Sequence, residues 1–443
     1  MTAHIVALCL ANVLMLVAGA GLLPVLRLAR TPREVFVRLP LAYAIGLAAT
    51  GIAAANLALI HVPVGRVGLP LLAAAAVALG VRELKWSAAS TARPRSYVAL
   101  VVLLVIAAYF ANAARLFAVK PLVENDGWAL WGLRARALYE FGHPVAPVFT
   151  ESWYSGLQYP LFLPELEAID FRFMGAFDGT VVHLQLLGLA IAFVGGAWSL
   201  LREHAPPLVL AISLLAIVTA PMFFGQLQTN DADVPAAMMI ALGVASLAAW
   251  LRSSEQGLLP AAVTFLAAGA LTKNEGEVFV LAAFIAALAA AGRLQRRPLL
   301  IAFGVTAALV LPWHIWLLAH HVTATTWSLS HLLDPHYLTS HWYRVESAQH
   351  QLIEQIQRSS SWSRLSLVAA AGVAGAVLLR NNRVLAFAVG WLLLCFGGLL
   401  LVYWASPLPL HPDLFSSADR TIDTLVIGGV VLVPLLVGTE SPG

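Results

Sequence analysis

The stretch IVALCLANVLMLVAGAGLLPVL (residues 5–26) carries no charged side chain from end to end, and Arg27, Arg30, Arg33 and Arg38 follow it directly. About 20 apolar residues are what a helix needs to cross the hydrocarbon core of a bilayer. A secretory signal places its positive charge ahead of the apolar run. Here the charge comes behind it. Ala18-Gly19-Ala20, which has the small residues of a cleavage site, therefore reads as part of a retained helix. Cytoplasmic loops collect Lys and Arg, so the N-terminus is expected outside.

The same pattern recurs along the chain. Further apolar runs at residues 39–60, 69–81, 97–119, 180–201, 207–224, 234–251, 258–271, 278–291, 299–319, 365–379, 384–404 and 422–437 predict an all-α, polytopic bundle of about thirteen helices. Short loops bearing Arg82/Lys85/Arg93/Arg95, Arg293/Arg296/Arg297 and Arg380/Arg383 alternate with this count and are expected in the cytoplasm, as is the C-terminus. The organisation expected is N-terminal helices over 1–119, a non-cytoplasmic loop with interfacial helices over 120–179, central helices over 180–319, a second outer loop over 320–363, and C-terminal helices over 364–443. Composition agrees: 60% of residues are hydrophobic and 11% charged, against roughly 25% charged in soluble domains. A net charge of +3 spread over short loops gives a topology signal, not a nucleic-acid footprint. Cys9 and Cys395 both sit in apolar runs, so neither a disulfide nor a cysteine metal site is expected.

Polar residues concentrate at the outer ends of the predicted helices. Glu124-Asn125-Asp126-Gly127-Trp128 precedes an amphipathic stretch with Trp128, Trp131, Leu138 and Tyr139, which suits a helix lying in the membrane interface. Asp126 reads either as the N-cap of that helix or as a reactive carboxylate. Tyr159, in Gln158-Tyr159-Pro160, reads as loop packing or substrate contact. Asp231 and Asp233 read as an acid/base or binding pair, or as a helix start with Pro235 in its first turn. Lys273 stands between two short helices as a partner for Glu275 or for an anion. Arg420 reads as an anchor paired with Asp419, or as a phosphate ligand with its forked donors. Seven of the 13 histidines fall between His314 and His350 without a zinc-site spacing, so no metal and no cofactor is assigned. Walker A and GxSxG motifs are both absent.

Taken in order, these clusters resemble the GT-C superfamily of membrane glycosyltransferases, and most of all the group of protein O-mannosyltransferases and aminoarabinose-type transferases. The likeness rests on Glu124–Trp128, Tyr159–Pro164, Asp231–Pro235, Leu271–Gly276, Leu311–His314 and Ser417–Arg420. About four helices precede the first outer loop, where the family commonly has one, and Asn125-Asp126 replaces an acidic pair. The resemblance implies transfer of a sugar from a polyprenyl phosphate to a glycan, glycolipid or protein acceptor outside the cytoplasm of an inner (plasma) membrane. It also implies Asp126 as catalytic base, Lys273 and Arg420 on the donor phosphate, and Glu124, Tyr159, Asp231, Asp233, Glu275 and His314 as substrate-binding candidates. Membrane lipids are the other expected partners, and nucleic acid is not one. A lipid-linked glycan ligase of another fold, or a transporter or flippase for lipid-linked sugars, remains the alternative.

Overall fold

The computed structural model describes residues 2–85, 96–124, 126–145, 148–151, 156–322, 329–379 and 382–438. Arg93, Arg95, Asn125 and Arg380 lie outside the described residues, and of Ser416 only the backbone is described. Among the described residues there is no strand. The longer helices are α1 (Thr2–Val25), α2 (Leu39–Ala58), α3 (Gly68–Glu83), α4 (Tyr97–Phe117), α5 (Leu133–Phe141), α6 (Phe162–Met174), α7 (Gly179–Leu201), α8 (Pro207–Val218) and α9 (Asp233–Ser253). They continue as α10 (Leu258–Ala270), α11 (Asn274–Ala290), α12 (Arg293–Ala319), α13 (Tyr343–Gln357), α14 (Leu365–Leu378), α15 (Asn382–Ala405), α16 (Leu410–Thr421) and α17 (Asp423–Val437).

The apolar runs read from the sequence fall on helices, but the run 207–224 is split into Pro207–Val218 and Pro221–Gln226. Among the described residues, eight helices are long and apolar enough to cross a membrane: α1, α2, α4, α7, α9, α12, α15, and a segment from Ser417 through α17 to Val437. The others, among them α3, α8, α10, α11 and α14, are shorter. A helix apolar on all sides belongs in the interior of a bundle. Accordingly α9 is buried from Asp233 to Leu251, with α7, α10, α11, α15 and α17 packed round it. Close crossings depend on small residues, as is usual between helices in lipid. A Cβ on Gly19 of α1 would lie 1.8 Å from the Ala42 carbonyl oxygen of α2, and one on Gly46 would lie 1.8 Å from that of Met15.

Within the stretch expected to be an outer loop with interfacial helices, almost all residues of α6 are buried, and it packs against α1, α2 and α5. The Phe162 N–H donates to the Leu271 carbonyl at 3.0 Å, which ties the start of α6 to the end of α10. Its proline-broken approach, Tyr159-Pro160, turns the chain inward.

Charge divides the bundle into two ends. Arg27 bonds Gln256 at 2.8 Å, Arg38 meets Glu203 at 3.3 Å, and His204 meets Glu255 at 3.3 Å at one end. At the other lie the starts of α1 and α7, joined by His4 and Asp178 at 2.7 Å, and the starts of α9, α11 and α17.

Candidate functional site

The ends of α9, α11 and α17 bring together residues that are far apart in sequence. Gly127 to Gly132 form a π-helical turn that runs into α5. Asp126 occupies the position before it but makes no capping bond, so the cap reading of Asp126 is set aside. Its Oδ2 instead accepts from Arg420 Nη1 at 2.8 Å, across 294 positions of sequence. The aromatic residues after it do not share one face: Trp131 is buried and stacks on Tyr159 at 5.3 Å, whereas Trp128 is exposed.

Gly127 explains how Asp231 joins this pair. A Cβ there would sit 1.7 Å from the Thr229 carbonyl oxygen, so only glycine allows the turn at residues 229–231 to lie against the π-helical start. Asn230 holds the contact by donating to the Gly127 carbonyl at 3.3 Å, from a backbone with φ +60°. Asp231 thereby stands 3.5 Å from Arg420 and also accepts from the Thr229 hydroxyl at 2.9 Å. Its Oδ1 is buried without a partner. Burial, with Asp233 nearby, raises the Asp231 carboxyl to about 6, against the opposing pull of Arg420 and Thr229.

Asp233 begins α9 without capping it; its carboxylate receives the Lys273 ammonium. Lys273 also stands 3.5 Å from Glu275, so the expected Lys273–Glu275 pair exists but Asp233 is the closer partner. The ring of Tyr159 lies 5.9 Å from Lys273 Nζ. Arg420 has its ion pairs with Asp126 and Asp231, where the sequence offered Asp419. Four carboxylates thus share two cations, and neither cation is a vacant anion site. His314 belongs to a different contact, with Glu277 at 2.8 Å.

Two side chains in this region carry no sequence signal. Gln226 donates to Asp423 Oδ2 at 2.5 Å and accepts from the Val234 N–H at 3.2 Å, which joins the starts of α9 and α17. A glutamine after a short helical turn and an aspartate in an apolar run give no spacing that would pair them.

Arg420 divides two spaces. A nook of about 10 Å³, the size of one water, lies among Asp233, Lys273, Glu275 and Arg420. An open cavity of about 410 Å³ lies on the other side, lined by Lys120, Glu124, Gln228, Asp231, Asp419 and Arg420 among others. Lys120 donates to Gln228 at 3.1 Å on its rim. Among the described residues no group of three or more His, Cys, Asp or Glu is arranged to hold a metal ion. Chemically, the arrangement offers a part-exposed carboxylate able to take a proton and two cations able to meet developing negative charge. No protein-family model, no curated protein and no solved structure matches this chain.

Proposed function

We propose that this chain is an inverting glycosyltransferase of the plasma membrane that uses a polyprenyl-phosphate sugar. The observation that carries the reading is the Asp126–Arg420–Asp231 cluster, set beside Lys273, of which Asp231 and Arg420 line a cavity at one end of the bundle. A carboxylate within reach of an acceptor hydroxyl is what general-base transfer needs. Asp126 takes the hydroxyl proton, and the oxygen forms its bond to the anomeric carbon. The bond from that carbon to the phosphate oxygen breaks, and its electron pair leaves with the polyprenyl phosphate. Arg420 and Lys273 meet the charge that develops on this leaving group. The phosphate exchanges with their carboxylate partners on binding. In this reading all thirteen apolar helices cross or enter the bilayer, with the site outside and the arginine-rich loops in the cytoplasm.

Asp126→Asn tests the assignment. The amide nearly keeps the shape and can still accept from Arg420, but it cannot act as a base. Transfer from a polyprenyl-phosphate sugar by purified protein is expected to fall by about 10²–10⁴-fold, the usual scale of general-base catalysis, while donor binding persists. Glu124→Gln, as the matched control, should cost less. Near-normal transfer by Asp126→Asn eliminates the base.

One observation favours a transporter: Glu167 and Asp170 of α6 are buried inside the bundle. Ionisable groups deep in a bundle often mark a translocation path. Counterflow of a lipid-linked sugar in proteoliposomes, with no glycosidic bond made, is the result that would select it.

A further inference from the structure

The 410 Å³ cavity lies beside Arg420 and has the make-up of a small-molecule site. Such sites are mostly apolar, with a few placed polar groups. Here three carboxylates (Glu124, Asp231 and Asp419), two cations (Lys120 and Arg420) and the Gln228 amide are the placed polar groups, set in a lining whose exposed surface is otherwise mostly apolar. A polyprenyl chain laid across these charged groups would leave each without a partner, at a cost in free energy. Of the two substrates, the cavity therefore suits the one without the lipid.

We infer that this cavity receives the acceptor as a neutral carbohydrate, with its hydroxyls held by Glu124, Asp231 and Gln228. The inference rests on the transferase reading above and names the acceptor class that the reading leaves open. Carboxylates only accept hydrogen bonds, so three of them call for a ligand rich in donors. A sugar presents an O–H at nearly every carbon. Lys120 and Arg420 bond the oxygens of the same hydroxyls, which both donate and accept. Charge points the same way. Three carboxylates facing two cations disfavour a phosphorylated or otherwise acidic acceptor. The volume lies near the small end of the roughly 300–1,000 Å³ of ligand pockets, enough for the terminal part of a glycan. Asp231 belongs to the lining, although its Oδ1 is itself buried, and Glu124 is exposed at the edge.

Saturation-transfer NMR on the full-length protein in nanodiscs tests the assignment. The probes are the methyl glycosides of glucose, galactose and mannose, set against a pentapeptide containing Ser and Thr. At least one glycoside is expected to bind. Glu124→Ala should weaken that binding about tenfold or more, the scale of one hydrogen bond to a charged group, and Gln228→Ala should weaken it less. Both variants should keep the wild-type melting temperature in detergent. Binding of the peptide alone, or of neither probe, overturns the inference, as does glycoside binding indifferent to both substitutions. Glycoside binding without any transfer from a polyprenyl-phosphate sugar would instead sink the transferase reading and leave the cavity assigned to carbohydrate.

Discussion

At the scale of single residues, Asp126 and Asp231 sit on one guanidinium but in different surroundings. Asp126 is part-exposed, while Asp231 is enclosed and its carboxyl is raised to about 6, chiefly by burial. An acid with that value is deprotonated above pH 6 and protonated below it. If the ionised form of Asp231 serves transfer, activity falls as pH drops through about 6. The acid limb of a kcat/KM profile should then move or vanish in Asp231→Asn, and an unchanged limb would assign it to another group. Glu167 makes a second case. It lies in α6, outside the eight spanning helices, and burial raises its carboxyl from an ordinary 4.5 to about 8, with Asn230 opposing. A carboxyl raised on folding stabilises the folded state below the unfolded value, and that contribution is lost as pH rises through the folded value. The melting temperature in detergent should therefore decline between about pH 4.5 and 8. Glu167→Gln, uncharged throughout, should flatten part of that slope; an unaltered slope would show that Glu167 is not the group responsible.

At the scale of elements, the site depends on one close approach. The π-helical start at Gly127 and the turn at residues 229–231 touch backbone to backbone. Gly127→Ala places a methyl group where the Thr229 carbonyl oxygen stands, and overpacking of this kind costs about 1–3 kcal/mol. The larger expected effect is on activity, because the turn that carries Asp231 must move off Arg420. Transfer by the folded variant should drop more than its melting temperature suggests, and full activity would show that the contact does not set the site. The sequence makes this element only half legible. Hydropathy located each apolar helix, because lipid and bundle interior select the same residue types over about 20 positions. Nothing local to α6 shows that it is buried, or that Arg172 meets Glu165 at 2.9 Å inside the bundle. The polar clusters were legible as clusters, since charge is rare in such a chain. Their partners were not. Arg420 meeting Asp126, Lys273 meeting Asp233 and Gln226 meeting Asp423 depend on which helix ends converge, and spacing along the chain carries no record of that.

At the scale of the molecule, charge separates the two ends of the bundle, and function on one side of a membrane requires that the separation match its orientation. Arg27 and Arg38 mark one end, while Asp126, Asp231, Asp233, Lys273 and Arg420 mark the other. If arginine-rich loops stay in the cytoplasm, the site faces out, where no nucleotide sugar is present and a lipid-linked donor is needed. Two exposed positions report the orientation. Ser340 is exposed at the end of a short helix, Pro335–Ser340, that docks on the site end, where the Tyr337 hydroxyl donates to the Ser406 carbonyl at 3.0 Å. Leu294, 93% exposed at the start of α12, lies at the opposite end. The native Cys9 is exposed and Cys395 buried, so single cysteines are placed in a Cys9→Ala background. A membrane-impermeant maleimide applied to intact cells should label Ser340→Cys and leave Leu294→Cys unlabelled until the membrane is opened. The reverse pattern would put the carboxylate cluster in the cytoplasm, within reach of nucleotide sugars, and would remove the reason for a polyprenyl-phosphate donor. Labelling of both in sealed cells would mean that the bundle is not held in one orientation, and the separation of charge would then need an explanation other than membrane sidedness.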